Sequence, residues 1–374
     1  MNFPRQIKNR TLRLLALTVT LGLSAALIFS AYGGMMNPLK SSAGALAAML
    51  IPFFIVMQLI VLVIDLVWFR KSAIVAAAAL LVCAGPIFTF CPLHPFRPSV
   101  RSIEKQRENV VKIMTYNMLN LDDFSKGFCS LTEGNPTVGY VLEEAPDILV
   151  CQEGNPILSP DGKNISAEQH NELFERYPYR YVDSRGMGIL SRFPMKASLI
   201  RHPDQWRYDI NRYEISLPDF PLVIFNLHLQ SLGLTPDDKA LYHDLTNADP
   251  PENLRQIRTS LVGKLTAAFR ERARQAEFIR EVIERERGTV MVCGDFNDIP
   301  GCYAQRVIQG KDLKDAYRDA GNGPAITYHA DRFFFRIDHI LYRGDLKPLR
   351  VWAGHNTSSD HYPLIAYFEI INHK

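Results

Sequence analysis

Three long apolar runs, residues 12–32, 43–69 and 72–90, fill the first quarter of this chain. A membrane span needs about 20 mostly apolar residues, and each run meets that length. Three such runs in succession are hard to bury in a soluble core, so three transmembrane helices are expected. The only acid in them is Asp65, near the end of the second run, where it is expected to reach the interface. Pro52 and Pro86 are expected inside spans, where neighbouring groups make proline tolerable. Arg5, Lys8 and Arg10 precede the first run as in a signal peptide. Its apolar core is longer than a signal's, however, and two further runs follow at once.

The composition changes after residue 90. Pro92, Pro95 and Pro98 lead into a charged stretch from Arg101 to Glu108. The organisation expected is a membrane anchor over 1–92, a linker over 93–108 and an α/β domain over 109–374, long enough for one large two-layered core. Residues 1–108 carry 11 Lys/Arg against 3 acids, so of a formal charge of +3 the remainder keeps about −5. That balance lacks the basic footprint of a tight nucleic-acid binder.

Within the domain, short apolar runs read as buried strands. Residues 110–116 end at Asn117, and 147–151 end at Gln152 and Glu153. Residues 186–192 form a third strand. Residues 213–217 and 222–229 pair about a Pro-Asp turn, and the second carries His228. Residues 289–293 lead into Gly294-Asp295-Phe296-Asn297. Residues 336–341 embed Asp338, and Asp360-His361 precede a closing strand at 364–371. Helices are expected at 138–144 and 252–287; the second is dense in arginine and reads as a solvated face, with Glu277 or Glu281 pairing nearby arginines at i,i+4.

Ends of core strands are where α/β proteins present chemistry on a rigid scaffold. Those here offer carboxylates, amides and two imidazoles. Such oxygen donors without a thiolate cluster suit Mg²⁺ or Mn²⁺. The cysteines are scattered, without zinc spacing. There is no Gly-x-Ser-x-Gly elbow and no Walker loop. Cys151 and Cys293 read as core residues, and Cys129 with Cys302 would pair only in an oxidising compartment.

Thr115-Tyr116-Asn117, Gln152-Glu153, Gly188-Ile189-Leu190-Ser191-Arg192, Asn226-Leu227-His228-Leu229, Gly294-Asp295-Phe296-Asn297, Ile337-Asp338-His339-Ile340 and Ser359-Asp360-His361-Tyr362-Pro363 follow one another along the chain. In that order they resemble the motifs of the endonuclease/exonuclease/phosphatase superfamily, the deoxyribonuclease I-like group. The resemblance spans nearly all of 110–374, is weak over 232–270, where an insertion is expected, and does not touch 1–108. It implies a four-layered α/β sandwich, two packed mixed β-sheets flanked by helices, preceded here by the three spans. It further implies a divalent-metal-dependent phosphoester hydrolase. Glu153, helped by Asn117, would hold the cation, and Asp360 would approach it. Asp295 would orient or deprotonate the attacking water, and Asn297 would position that water or a phosphate oxygen. His361, oriented by Asp338, would donate to the phosphate, and His228 would be a second imidazole facing it.

The substrate expected is a small or lipid-linked phosphoester. DNA or RNA, cut by an endonuclease, is the alternative, and a catalytically silent tethered binding module is an alternative of another class. The partners expected are that substrate and the lipid bilayer; no protein partner is identifiable. The positive-inside rule sets Arg5, Lys8, Arg10, Arg13, Arg70 and Lys71 in the cytoplasm. It predicts a multi-pass protein of the inner membrane with its catalytic domain outside the cytoplasm.

Overall fold

The computed structural model describes residues 9–124, 134–158, 165–233, 254–330 and 334–371. Its apolar quarter forms α1 (Arg10–Gly33), α2 (Ala43–Ala48), α3 (Ile51–Trp68), α4 (Arg70–Val82) and α5 (Ala84–Phe90). Asn9 starts α1 by accepting the N–H groups of Thr11 and Leu12, two of the donors a helix leaves unpaired at its start. Pro52 lies in the first turn of α3, not inside it, where no N–H is required. Pro86 has no N–H to offer the Val82 carbonyl, and the Tyr32 hydroxyl donates to it instead at 2.7 Å. The chain bends there by 60° between α4 and α5. Helices α1 and α3 are long and apolar enough to cross a membrane, and the bent pair makes a third only if taken as one span.

Asp65 corrects the expectation for it. It is buried against α1, where Thr20 Oγ1 donates to its carboxylate at 2.7 Å. Two turns away Gln58 donates to Ser24 Oγ at 2.9 Å. Polar groups in an apolar bundle are costly unless they find one another.

Residues 93–108, which include α6 (Val100–Glu104), lie along the sandwich. His94 Nδ1 sits 2.8 Å from the Gly321 carbonyl, and Arg97 donates to the carbonyls of Ala320 and Val351.

The rest of the chain runs β1 (Val110–Asn117), α7 (Pro136–Glu144), β2 (Ile148–Gln152), α8 (Ala167–Arg176), β3 (Tyr179–Val182), β4 (Gly188–Ser191), β5 (Met195–Ile200), β6 (Ile210–Ser216), β7 (Pro221–His228), α9 (Leu254–Glu284), β8 (Thr289–Asp295), α10 (Tyr303–Gln309), β9 (Lys314–Asp315), α11 (Ala316–Ala320), β10 (Asp338–Arg343), β11 (Leu346–Ala353) and β12 (Leu364–Ile370). One sheet has the order β11-β12-β1-β2-β4-β3, the other β5-β6-β7-β8-β10-β9. Each is mixed, with one central parallel pair, β1 with β2 and β7 with β8. The expected sandwich of two mixed sheets is therefore present. Strands β3, β5, β9 and β11 were not foreseen. Most of the expected insertion at 232–270 lies outside the described residues, as does Cys129.

Side chains alternate across a strand, and the alternation divides the core. Ile113, Ile148, Val150, Ile224, Met291, Cys293 and Ile340 meet between the sheets. Met114, Tyr116 and Leu149 face one outer layer, and Phe225, Val290, Val292 and Leu341 the other. The helical quarter packs on this second layer. Ala48 joins its apolar cluster, Asn37 donates to the Tyr303 hydroxyl at 2.9 Å, and a Cβ on Gly34 would lie 2.7 Å from the Gly301 carbonyl.

Candidate active site

Continuing the inward series of each central strand by one or two residues gives the site. After Ile113 come Thr115 and Asn117, after Val150 comes Gln152, and after Ile224 come Asn226 and His228. After Cys293 comes Asp295, and β10, running the other way, places Asp338 before Ile340. The apolar inter-sheet core therefore gives way to polar groups at one end of both sheets. A bridge ties the sheets there, since Gln152 Nε2 donates to Asn226 Oδ1 at 2.7 Å. Asn226 in turn donates to the carbonyls of Cys151 and Gly188. Gly294 lets β8 reach the site: a Cβ there would collide with the Leu227 carbonyl, and its φ is +137°.

Asp295 is the hub. Its carboxylate accepts Asn297 N–H at 2.7 Å, and the side-chain amides of Asn297 and Asn117 at 3.2 Å each. His228 Nε2 and His361 Nε2 each lie 3.6 Å from Asp295 Oδ2. Asp338 stands opposite Asp295 in the β8–β10 ladder, a like-charge pairing that is unfavourable alone. His361 resolves it: its Nδ1 lies 2.9 Å from Asp338 Oδ2, which directs Nε2 towards Asp295. Burial disfavours a charged imidazole, but Asp338 and Asp295 outweigh it and His361 is pushed up to about 10. The Asp295 carboxyl is raised by burial; His361 opposes this and Asp338 reinforces it.

Glu153 stands apart from this buried trio. It follows β2 with φ +51°, is partly exposed, and receives Asn117 Nδ2 on Oε1 at 3.2 Å. His228 Nε2 is 3.8 Å from the same oxygen. Asn297, also in the left-handed region at φ +52°, donates to the Leu229 carbonyl and so clips the β8 loop to the end of β7.

Asn117, Glu153, His228, Asp295, Asn297, Asp360 and His361 line one cavity of about 240 Å³. Asp338 touches it through His361. Within ligand reach of one another are Asp295, Asp338 and His361. The imidazole is hydrogen-bonded to one carboxylate, Asp338, and faces the other, Asp295, at 3.6 Å. Glu153, an oxygen donor open to the cavity and steadied by an amide, fits a hard divalent cation better.

Arg272, expected on a solvated face, is instead 1% exposed, pairs with Asp298 at 3.2 Å and donates to the Gln230 carbonyl at 2.9 Å. It thereby joins the loops after β7 and β8 behind Asn297. The helical period gave no warning, because Arg272 is one of many arginines on α9. An i,i+4 pair does form on α9, between Arg280 and Glu284, but Glu277, one of the two acids expected to make one, accepts from the Tyr303 hydroxyl.

A sandwich whose two parallel pairs converge on carboxylates, amides and imidazoles defines a class, and residues 114–361 match the model of the endonuclease/exonuclease/phosphatase family. The chain belongs to that family, whose members are typically metal-dependent phosphoester hydrolases. Among solved structures it is similar to truncated Caenorhabditis elegans TDP2, at 20% identity over 70% of this chain and 98% of that one, TM-score 0.45. It is also similar to an endonuclease/exonuclease/phosphatase from Beutenbergia cavernae, at 17% identity over 71% and 72%, TM-score 0.46. D. rerio TDP2 complexed with single strand DNA product aligns at 14% identity over 70% and 100%, TM-score 0.45. A comparison with curated proteins gives no match.

Proposed function

We propose that the chain is a membrane-anchored, Mg²⁺- or Mn²⁺-dependent hydrolase of phosphoesters. The observation that carries this reading is the convergence of Glu153, His228, Asp295, Asn297 and His361 on one cavity, in a chain of this family. Residues 1–92 are the anchor, 93–108 the connection laid along the sandwich, and 109–374 the catalytic domain. Glu153 would hold the cation, Asn117 fixes Glu153 by its amide, and Asp360 lines the same cavity. The cation, when bound, offsets negative charge on the phosphoryl oxygens. Asp295 orients the attacking water and takes its proton. Asn297 positions that water or a phosphoryl oxygen. Asp338 holds His361 so that Nε2 faces the cavity and donates to the phosphoryl group, an arrangement that stabilises charge as it develops. His228 donates from the other side.

The full chain in detergent should hydrolyse bis(p-nitrophenyl) phosphate with Mg²⁺ or Mn²⁺, and chelation with EDTA should stop it. Full activity after exhaustive chelation removes the metal from the mechanism. Inactivity towards this diester and also towards DNA, RNA and lipid phosphoesters removes the hydrolase reading.

The sidedness of the anchor belongs to the same proposal. Arg10, Arg13, Arg70 and Lys71 gather about one cleft at one end of the helices. The sandwich packs at the other end, around Gly34 and Ala48. With the basic end in the cytoplasm, the catalytic domain lies outside it, at the inner membrane. Alkaline phosphatase fused after Arg107 should be active, and a silent fusion beside a fluorescent one at the same point reverses the assignment.

A further inference from the structure

The cavity has a mixed lining. Besides the polar groups, Met49, Phe269, Ile299, Phe335 and Ile337 line it. A phosphoryl centre needs none of them. Phe269, Ile299, Phe335 and Ile337 belong to the sandwich, but Met49 belongs to the helical quarter, in the break between α2 and α3. Its position is fixed, because Ala48 beside it is buried with Phe225, Val292 and Phe296 of the second sheet's outer layer. Leu50, the residue after Met49, and Phe53 in the first turn of α3 are 51% and 56% exposed, while Ile51 between them is buried, and α3 is a helix able to cross a membrane. Exposed apolar side chains of a candidate span therefore begin at the residue next to the one that lines the cavity.

We infer that the phosphoester cleaved here is carried by a membrane lipid, whose apolar portion lies against Met49 and Phe269 and leaves the cavity along the start of α3. This rests on the hydrolase reading above. Two observations favour it over a soluble ester, and a third supplies a donor for the substrate. The cavity, at about 240 Å³, is smaller than the roughly 300–1,000 Å³ of pockets that enclose a whole ligand. That suits a substrate inserting its head and keeping the remainder outside. The exposed apolar residues next to Met49 sit where the bilayer would cover them. Arg272 lines the same cavity, and its buried Nη2 has no hydrogen-bond partner among the described residues. A buried donor of that kind is costly unless an acceptor arrives, and a substrate oxygen is one.

The test uses the full chain with Mg²⁺ in mixed micelles. The substrates are phosphatidic acid, phosphatidylglycerol and phosphatidylethanolamine, each with dioleoyl and with water-soluble dibutyroyl chains, together with a single-stranded oligonucleotide and bis(p-nitrophenyl) phosphate. For at least one headgroup, kcat/KM for the long-chain ester should exceed that for its short-chain twin by about tenfold or more, the scale of apolar contacts in a specificity pocket. Met49→Ser should cut that ratio about tenfold, and Met49→Leu should restore it. Independently, a lipid with a diazirine near the headgroup end of its chain should label the peptides containing Met49 or Phe269 in proteoliposomes. Equal rates on long and short chains overturn the inference, as does an equal loss on both from Met49→Ser, preferred cleavage of the oligonucleotide, or labelling confined to the outer faces of α1 and α3. In those cases bis(p-nitrophenyl) phosphate is still cleaved and the hydrolase reading stands. If no phosphoester is cleaved, that reading fails and this inference fails with it.

Discussion

Two buried histidines, His361 and His339, lie close to one strand and are treated in opposite ways. His361 sits between Asp338 and Asp295 and is pushed up to about 10 despite burial. His339 follows Asp338 in β10 and so faces the other side of the sheet. It is also fully buried, but Arg336 lies against its Nδ1 at 3.0 Å and the Asp298 carbonyl against its Nε2 at 3.1 Å. Arginine only donates, so Nδ1 accepts and Nε2–H donates. Burial, then Arg336, pull this imidazole down to about 4. Its cluster is closed as well, save for Arg336 Nε, which is buried with no partner among the described residues. Asp315 accepts from Arg336, Gln305 and the N–H of Tyr317, and its carboxyl is held low by Arg336 and His339 against the effect of burial. The other cluster is left open: Asp338 Oδ1 is buried with no partner among the described residues, and His361 Nε2 stands 3.6 Å from Asp295, beyond a hydrogen bond. Satisfied polar networks rigidify, while an unsatisfied one at a cavity wall is available for chemistry.

The largest effect should come from breaking the closed cluster. Arg336→Met leaves Asp315 buried and charged without its partner, which costs about 3–5 kcal/mol. A fall in thermal stability of that size is expected, with kcat of the folded fraction retained. A variant that folds normally would show that the Arg336–Asp315 pair is not structural.

Breaking the open cluster should do the reverse. Asp295→Ala and His361→Ala are each expected to lower kcat by about 10²-fold or more, as for groups moving protons or meeting developing charge. Both residues are buried and His361 stands between two carboxylates, so His361→Ala should also lower stability, and kcat is read on the folded fraction. Retention of more than about half of kcat takes the residue out of the mechanism. Asp338→Asn should fall between these limits, at about 10–100-fold, because Asp338 acts by holding the His361 ring. A shift in the pH profile of kcat should accompany it, since the imidazole loses the carboxylate that holds its proton. An unchanged profile would make Asp338 only a packing residue.

The open cluster was much easier to read from the chain than the closed one. Asn117, Glu153, His228, Asp295, Asn297, Asp338, Asp360 and His361 announce themselves because polar residues at the ends of apolar runs break a two-residue period. All eight lie in or beside one cavity. Arg336, Asp315, His339 and Arg272 give no such signal. The first three are covered by side chains and backbone of Gln305, Thr89 and Tyr317, and Arg272 by the loops after β7 and β8, a long-range fact. The same limit explains strand β5, whose residues 196–199 are exposed and show no alternation. It also explains the break at Cys83: the apolar run is continuous through Pro86, and the Val82 carbonyl that Pro86 cannot pair finds its donor in Tyr32, far along the chain. The role of Met49 was invisible for the same reason.

The smallest effect at neutral pH is expected from His339→Gln. Glutamine can accept from Arg336 and donate to the Asp298 carbonyl, so the change near pH 7 should be within about 1 kcal/mol, the scale of one imperfect hydrogen bond. The acid side should separate the two proteins. His339 has a folded value of about 4 against an ordinary value of 6.5, so the unfolded chain takes up this proton more readily. Stability from keeping the ring neutral is therefore complete above 6.5 and is lost progressively as pH falls from 6.5 towards about 4. The glutamine variant cannot take up that proton and should lack this part of the acid slope. Thermal unfolding midpoints of both proteins in the same detergent, measured at intervals between those pH values, test it. Parallel curves would mean that His339 is protonated alike in the folded and unfolded chains, and the contrast with His361 would lose its physical basis.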